Sequence, residues 1–258
     1  MSVLSSSKSI NWTGLGVIVL VLVLWQIAVD TGILSLRNLP SPVAVAQSFG
    51  KLSGVGDAVG HTLLVALVAF ALALLVGAAV GLILGLSGLV RTFANGSLDF
   101  LRTLPVVALM PVALLVWGPS TKTEIIVATY ASLWPVAVNV SSGVARIHPQ
   151  LREMARSLKL SKWENLTKIV VPAAVPSLLV GARLALTSSL VIAIVAEMLV
   201  NPSGLGWALS RAQSGMQPGQ MWAYVAIIAV IGLVLNAIVV FIVERLVPGG
   251  RPLPKGRG

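Results

Sequence analysis

The 258-residue chain has no cysteine, two histidines and few charges, and each shortage removes a class of chemistry. Without cysteine there are no disulfides and no thiolate chemistry, and redox compartment cannot be read from the sequence. Charged residues make up 10% of the chain, against roughly 25% in soluble domains. With 57% hydrophobic residues and a mean hydropathy of +0.96, this is the composition of a membrane protein. No G-x-x-x-x-G-K-[ST] sequence occurs; Gly118-Pro-Ser-Thr-Lys-Thr123 shares only its outline, so the chain cannot cradle ATP phosphates itself. His61 and His148 are expected at opposite membrane edges, and no carboxylate pair or His/Asp/Glu cluster is apparent. No catalytic residue, metal ligand or bound cofactor is therefore assigned.

What is present is a series of apolar runs, where about 20 residues are needed to cross a bilayer. Trp12–Val29, Thr62–Leu86 and Met221–Val243 carry no charge. Three further runs are interrupted: Thr103–Ser120 by Pro105 and Pro111, Ile125–Val144 by Pro135, and Val171–Leu199 by Pro172, Pro176, Arg183 and Glu197. Proline within a span requires neighbouring helices or water to satisfy the freed carbonyls, so these six predicted spans form a packed bundle. The first run is long for a signal peptide and lacks a clear cleavage site, so it is read as a retained span. The expected architecture is all-α, with one transmembrane unit over residues 12–246, a coupling segment at about 145–172, and tails at 1–11 and 247–258.

The net charge of +10 points to lipid and topology, not nucleic acid, because the basic residues cluster beside the apolar runs. Of 18 Lys and Arg, thirteen fall on one side: Lys8, Arg91, Arg102, Arg146, Arg152, Arg156, Lys159, Lys162, Lys168, Arg245, Arg251, Lys255 and Arg257. Arg37, Lys51, Lys122 and Arg211 fall on the other, and Arg183 lies within a span. The positive-inside rule then places both termini and the coupling segment in the cytoplasm. On the outer side, Val43–Leu52 is expected as a short helix capped by Ser41 with Pro42 in its first turn. Gly77, Gly81 and Gly85 give one helix face without side chains, suited equally to packing within the chain or to a dimer seam.

The longest polar stretch is Ser142–Val171. Pro149 suits a helix start, and Leu151, Met154, Ala155 and Leu158 follow at i, i+3, i+4 and i+7 as one apolar stripe. Ser161-Lys-Trp-Glu164 spells a capping box for a second helix, expected to stop at Val171-Pro172. So short a helix is marginal alone in water, and something must bury the stripe: the ends of the chain's own spans, the headgroup layer, or a partner.

Glu153-Met-Ala155 and Ile169-Val-Val171-Pro172, with Glu and Ile sixteen residues apart, resemble the signature of bacterial ABC-importer permeases. Met154 stands where that signature has its first Ala, and Lys159 where it has Gly, a substitution that matters if the turn requires positive φ. The resemblance runs from about residue 38 to 246. Leu104-Pro105, Leu114-Leu-Val-Trp-Gly118, Ala196-Glu197-Met198 and Gly204-Leu205-Gly206 resemble the nitrate/sulfonate/taurine-type subfamily in particular. It implies the type I importer fold with cytoplasmic coupling helices, a homodimer in the bacterial inner membrane, two ABC ATPase subunits that use the ATP, and an extracytoplasmic substrate-binding protein. The implied solute is a small anion or organosulfonate. Leu151, Glu153, Met154, Ala155, Leu158, Lys159, Ile169 and Pro172 would form the ATPase-coupling surface.

Charges within spans are functional candidates. Arg183 lies eleven residues past Pro172, about 16 Å along the axis. There it would meet a passing anion or, better supported, anchor its helix. Glu197, near the outer mouth, suits orienting the Asn201–Gly206 loop. Asn139, Ser188 and Ser189 complete the candidate pathway, although hydroxyls in spans often bond to their own helix. The alternative function is a gradient-driven secondary transporter or channel. Such proteins commonly show buried acidic relays and internal repeats; here Glu197 is the single intramembrane carboxylate expected, and no repeated half is seen.

Overall fold

The computed structural model describes residues 12–33 and 38–246, and every regular element among them is helical. The elements are α1 (Trp12–Asp30), α2 (Pro42–Ser48), α3 (Val55–Leu86), α4 (Gly88–Thr103), α5 (Val106–Trp117), α6 (Thr121–Ala145), α7 (Pro149–Ser157), α8 (Lys162–Asn165), α9 (Val171–Leu199), α10 (Gly204–Ser214) and α11 (Pro218–Leu246). The two tails, and with them Lys8, Arg251, Lys255 and Arg257 of the thirteen basic residues that set the expected orientation, lie outside the described residues.

The heart of the bundle is α3, α6 and α9. The glycine ladder of α3 lies against α6: a Cβ on Gly81 would sit 2.7 Å from both the Ala137 carbonyl oxygen and Val140 Cβ, and Gly77 and Gly85 meet Val136 and Val144 in the same way. Of the two uses the spacing allowed, the ladder serves packing within the chain. The register, with both numbers rising together, makes α3 and α6 parallel. α9 runs antiparallel to α6, with Gly143 against Ser177 and Gly181 against the Pro135 carbonyl. Val136, Val140, Val144, Ile147, Val170, Ala174 and Ala185 fill the space between them.

α1 and α11 stand outside this core with apolar outward faces, Leu20 and Leu233 among them. Exposed apolar helices of this kind suit lipid, where every backbone polar group is satisfied within the helix. α1 is tied on by Trp25, whose ring lies 5.5 Å from that of Trp222, and by Gln26 Oε1, which accepts from the Val43 amide at 3.2 Å. α2 begins as expected: Ser41 Oγ accepts from the Ala44 amide and Pro42 occupies the first turn.

Four helical stretches are long and apolar enough to cross a membrane: Val55–Leu86, Thr121–Ala145, Lys162–Leu199 and Pro218–Ile242. Shorter apolar helices, Gly16–Asp30 and Val106–Trp117, stand at the first and third predicted spans. The third is cut at one end by Pro105, extended at ψ 110, and at the other by Gly118 at φ 71. Its 12 helical residues reach about 18 Å, less than the roughly 30 Å hydrocarbon core.

The expected helix stop at Val171-Pro172 does not occur. Residues Leu166–Val170 form a π turn, Val171 stays helical at φ −61 and ψ −51, and the helix runs unbroken from Lys162 to Leu199. The Val171 amide donates to the Leu166 carbonyl, five residues back. This wider turn removes the clash that a proline ring makes with the carbonyl four residues before it.

Candidate functional site

At one end of the bundle the polar segment folds as two helices at an angle. α7 stops at a Schellman turn: the Leu160 amide donates to the Ala155 carbonyl at 3.0 Å and the Lys159 amide to that of Arg156 at 3.0 Å. This pattern puts the residue after the C-cap in the left-handed region, and Lys159 has φ 51. The turn therefore requires the conformation for which glycine is suited, and lysine adopts it. Leu160 then leads to Ser161, whose hydroxyl accepts from the Glu164 amide at 3.2 Å while Glu164 Oε2 accepts from the Ser161 amide at 3.0 Å.

The four-residue stripe on α7 divides. Ala155 is buried and, with Leu160 and Ile169, lines a cavity of about 250 Å³ against Val144 and Ile147. Leu151, Met154 and Leu158 face outward, the last two 56% and 65% exposed, and Trp163 beside them is 71% exposed. Glu153, Lys159 and Pro172 are also exposed. The chain's own spans thus cover only the alanine of the stripe.

The opposite end holds buried polar groups on α3, α6, α9 and α10. Glu197, fully buried, accepts at Oε2 from the Thr62 hydroxyl and the Gly206 amide, both at 2.9 Å; Thr62 Oγ1 in turn accepts from the Leu205 amide at 2.9 Å. The Gly204-Leu-Gly206 turn is thereby fastened to α3 and α9. Gly204 has φ 85 and a side chain there would run into the Glu197 carboxyl; one on Gly206 would run into the Ile194 carbonyl. Both glycines are required by close approach.

Glu124 corrects the expectation of a single intramembrane carboxylate. It lies in the first turn of α6, fully buried, with Oε2 at 2.9 Å from His61 Nε2. It stands one residue before the predicted span at Ile125, so the sequence placed it at a membrane edge. Its position four residues after the cap Ser120 was the available signal, since that puts it inside the helix. His61 is correspondingly paired, 63 residues away in sequence.

The remaining pathway candidates do not converge. Asn139 donates to its own helix at Pro135, buried Ser189 to Leu186, and Ser188 is half-buried. Arg183 Nε donates to Asn236 Oδ1 at 3.0 Å, tying α9 to α11. A cavity of about 690 Å³ at this end, between the starts of α3 and α11 and along α10, is lined by none of the five candidates. Instead it brings together Lys51, Asp57, Trp207, Arg211 and Tyr224.

Apolar helices packed as a bundle, with an exposed apolar turn at one end, are the architecture of a multi-helix membrane protein. Residues 73–251 match the family described as binding-protein-dependent transport system inner membrane component, and the chain belongs to that family of ABC-transporter permeases. It is 30% identical over 244 residues to the putative aliphatic sulfonates transport permease SsuC of Bacillus subtilis, covering 93% of this chain and 88% of that one. It is 29% identical to the nitrate import permease NrtB of Synechocystis, covering 90% and 87%. The fold also matches a solved structure of the MetNI methionine ABC transporter in inward-facing form, with TM-score 0.62 and 20% identity over 78% of this chain and 100% of that one.

Proposed function

We propose that this chain is the permease subunit of an ATP-driven importer, lining the solute path as one of a pair and coupling to two separate ATPase subunits. The observation that carries the reading is the outward apolar surface of Leu151, Met154, Leu158 and Trp163, held at a fixed angle by the Lys159 turn. A chain without an ATP-binding motif needs a motor to dock, and a small apolar patch with a basic rim at the end of a membrane bundle suits that use. Leu151, Glu153, Met154, Leu158 and Lys159 form the docking face, whereas Ala155 and Ile169 hold it to the bundle. The segment then lies in the cytoplasm, in line with the charge asymmetry, and the end carrying Glu197 faces the extracytoplasmic binding protein. The named relatives favour a small oxyanion or organosulfonate as solute.

Co-purification with the ATPase after Met154→Asp/Leu158→Asp or Glu153→Arg tests the reading. Loss of the ATPase and of ATP-driven uptake, with membrane insertion intact, is expected; retention of both refutes it. Ala155→Asp is a poor test, because it would disturb the chain's own packing. The half-buried His61 with its buried partner Glu124, and Glu197, are the features a gradient-driven carrier would use. Glu197 is occupied in holding the 204–206 turn, and uptake driven by an ion gradient without ATP is the result that would restore that alternative.

A further inference from the structure

The 690 Å³ cavity at the end carrying Glu197 is a surplus of hydrogen-bond donors facing one space. Lys51 and Arg211 both line it, and among the described residues neither forms an ion pair. Arg211 is nonetheless placed: its guanidinium lies 5.2 Å from the Trp207 ring centroid, which orients it without neutralising it. Tyr224 is 6% exposed, lines the same space, and its hydroxyl has no partner among the described residues, yet is not sealed from solvent. The Gln220 amide also lines the cavity without a side-chain partner among the described residues. Against these stands one carboxylate, Asp57; the imidazole of His61 is taken by Glu124. Lys51 and Arg211 are solvent-exposed and hydrated when the cavity is empty, but a cleft lined by two cations against one carboxylate focuses a positive potential that raises the local concentration of anions.

We infer that this cavity binds an organic oxyanion, with Lys51 and Arg211 on the charged head, the Tyr224 hydroxyl donating to it, and Trp207 against the organic part. Size selects the organic part. At about 30 Å³ of liquid volume per water, the cavity holds roughly twenty waters, far more than a bare inorganic ion displaces. The lining is mostly polar, with Trp207 and Tyr224 as its aromatic members, and its several hundred Å³ leave room for a small organic group against Trp207. Arginine contributes a planar fork matched to two oxygens of one head group, and lysine adds a point charge. That the bound anion is the transported solute rests on the importer reading; the binding itself does not.

The test titrates the full-length chain in lipid nanodiscs with ethanesulfonate, ethylphosphonate and propionate, with nitrate and choline for comparison, following tryptophan fluorescence. At least one organic anion should give a saturable change that nitrate and choline do not, and Trp207→Phe should abolish most of the signal. Lys51→Gln/Arg211→Gln should weaken binding by tenfold or more. Tyr224→Phe, which keeps the ring and its packing, should weaken it about tenfold, the value of one hydrogen bond to a charged acceptor. Saturation-transfer NMR on the same samples reads binding without the tryptophan. No saturable binding of any of the three anions, an equal response to nitrate, or unchanged titrations in the monodisperse double variant overturns the site. ATP-driven uptake by the assembled transporter separates the two proposals. Uptake that persists unaltered in the double variant leaves the importer reading standing and removes the cavity from the solute path. Anion binding without ATP-driven uptake of any of these anions, nitrate included, does the reverse.

Discussion

Lys159 is where the backbone and the residue type disagree, and Lys159→Gly gives a signed prediction. The Schellman bonds from Lys159 to Arg156 and from Leu160 to Ala155 hold position 159 at φ 51. A side chain in the left-handed region costs about 1–2 kcal/mol, of which glycine is relieved. Glycine in turn gives the unfolded or opened segment more freedom, worth about 0.4–1 kcal/mol in the other direction. Taking the middle of each, the substitution should stabilise the closed turn by about 0.8 kcal/mol, or about fourfold in its opening equilibrium. Lys159→Val should act in the opposite sense, because a β-branched side chain tolerates positive φ least. Hydrogen exchange with mass spectrometry on peptides spanning 155–165 reads this directly through the Leu158, Lys159 and Leu160 amides. Slower exchange for glycine and faster for valine is expected. Equal or faster exchange in Lys159→Gly would refute the account and show that the lysine side chain makes a contact outweighing the strain.

The other predictions concern the bundle and its two ends. Gly81→Ala should lower thermal stability in detergent by about 1–3 kcal/mol through overpacking against Val140 and the Ala137 carbonyl, whereas Gly60→Ala, on the same helix with open space around it, should be neutral or stabilising. Glu197→Ala strips the acceptor from the buried Gly206 amide, at about 1–3 kcal/mol, while the Thr62 hydroxyl can turn to the Ala58 carbonyl at 3.1 Å; Glu197→Gln keeps an acceptor oxygen and should lose less by the same melting assay. Full burial of a Leu or Met is worth about 1.5–3 kcal/mol, so covering the exposed parts of Met154 and Leu158 should contribute about 2–3 kcal/mol to ATPase docking. Met154→Ser/Leu158→Ser should then weaken that affinity by tenfold or more, measured by titrating the ATPase onto the nanodisc-embedded permease.

What the sequence determined by itself is what depends on near neighbours in the chain and on composition. The lipid-soluble class follows from summed transfer free energies, and the placing of the apolar runs from their length. The caps at Ser41 and Ser161 follow because a side chain satisfies a backbone amide three residues on. The meeting of two short helices at Lys159–Leu160 was legible from Pro149 and the Ser161 capping box, while the expectation of glycine at 159 came from the resemblance to the permease signature. The tertiary structure decided the rest. It turned the glycine ladder inward onto α6, divided the α7 stripe into one buried and three outward residues, and carried the helix through Pro172 on a π turn. It also brought Thr62 to Glu197 across 135 residues and His61 to Glu124 across 63. Lys51 and Arg211, which the sequence could assign only to the same side, came to face one cavity. No local pattern encodes such meetings: the partners depend on which helix faces touch and in what register, and that is set when the whole bundle minimises its voids and its unpaired polar groups together.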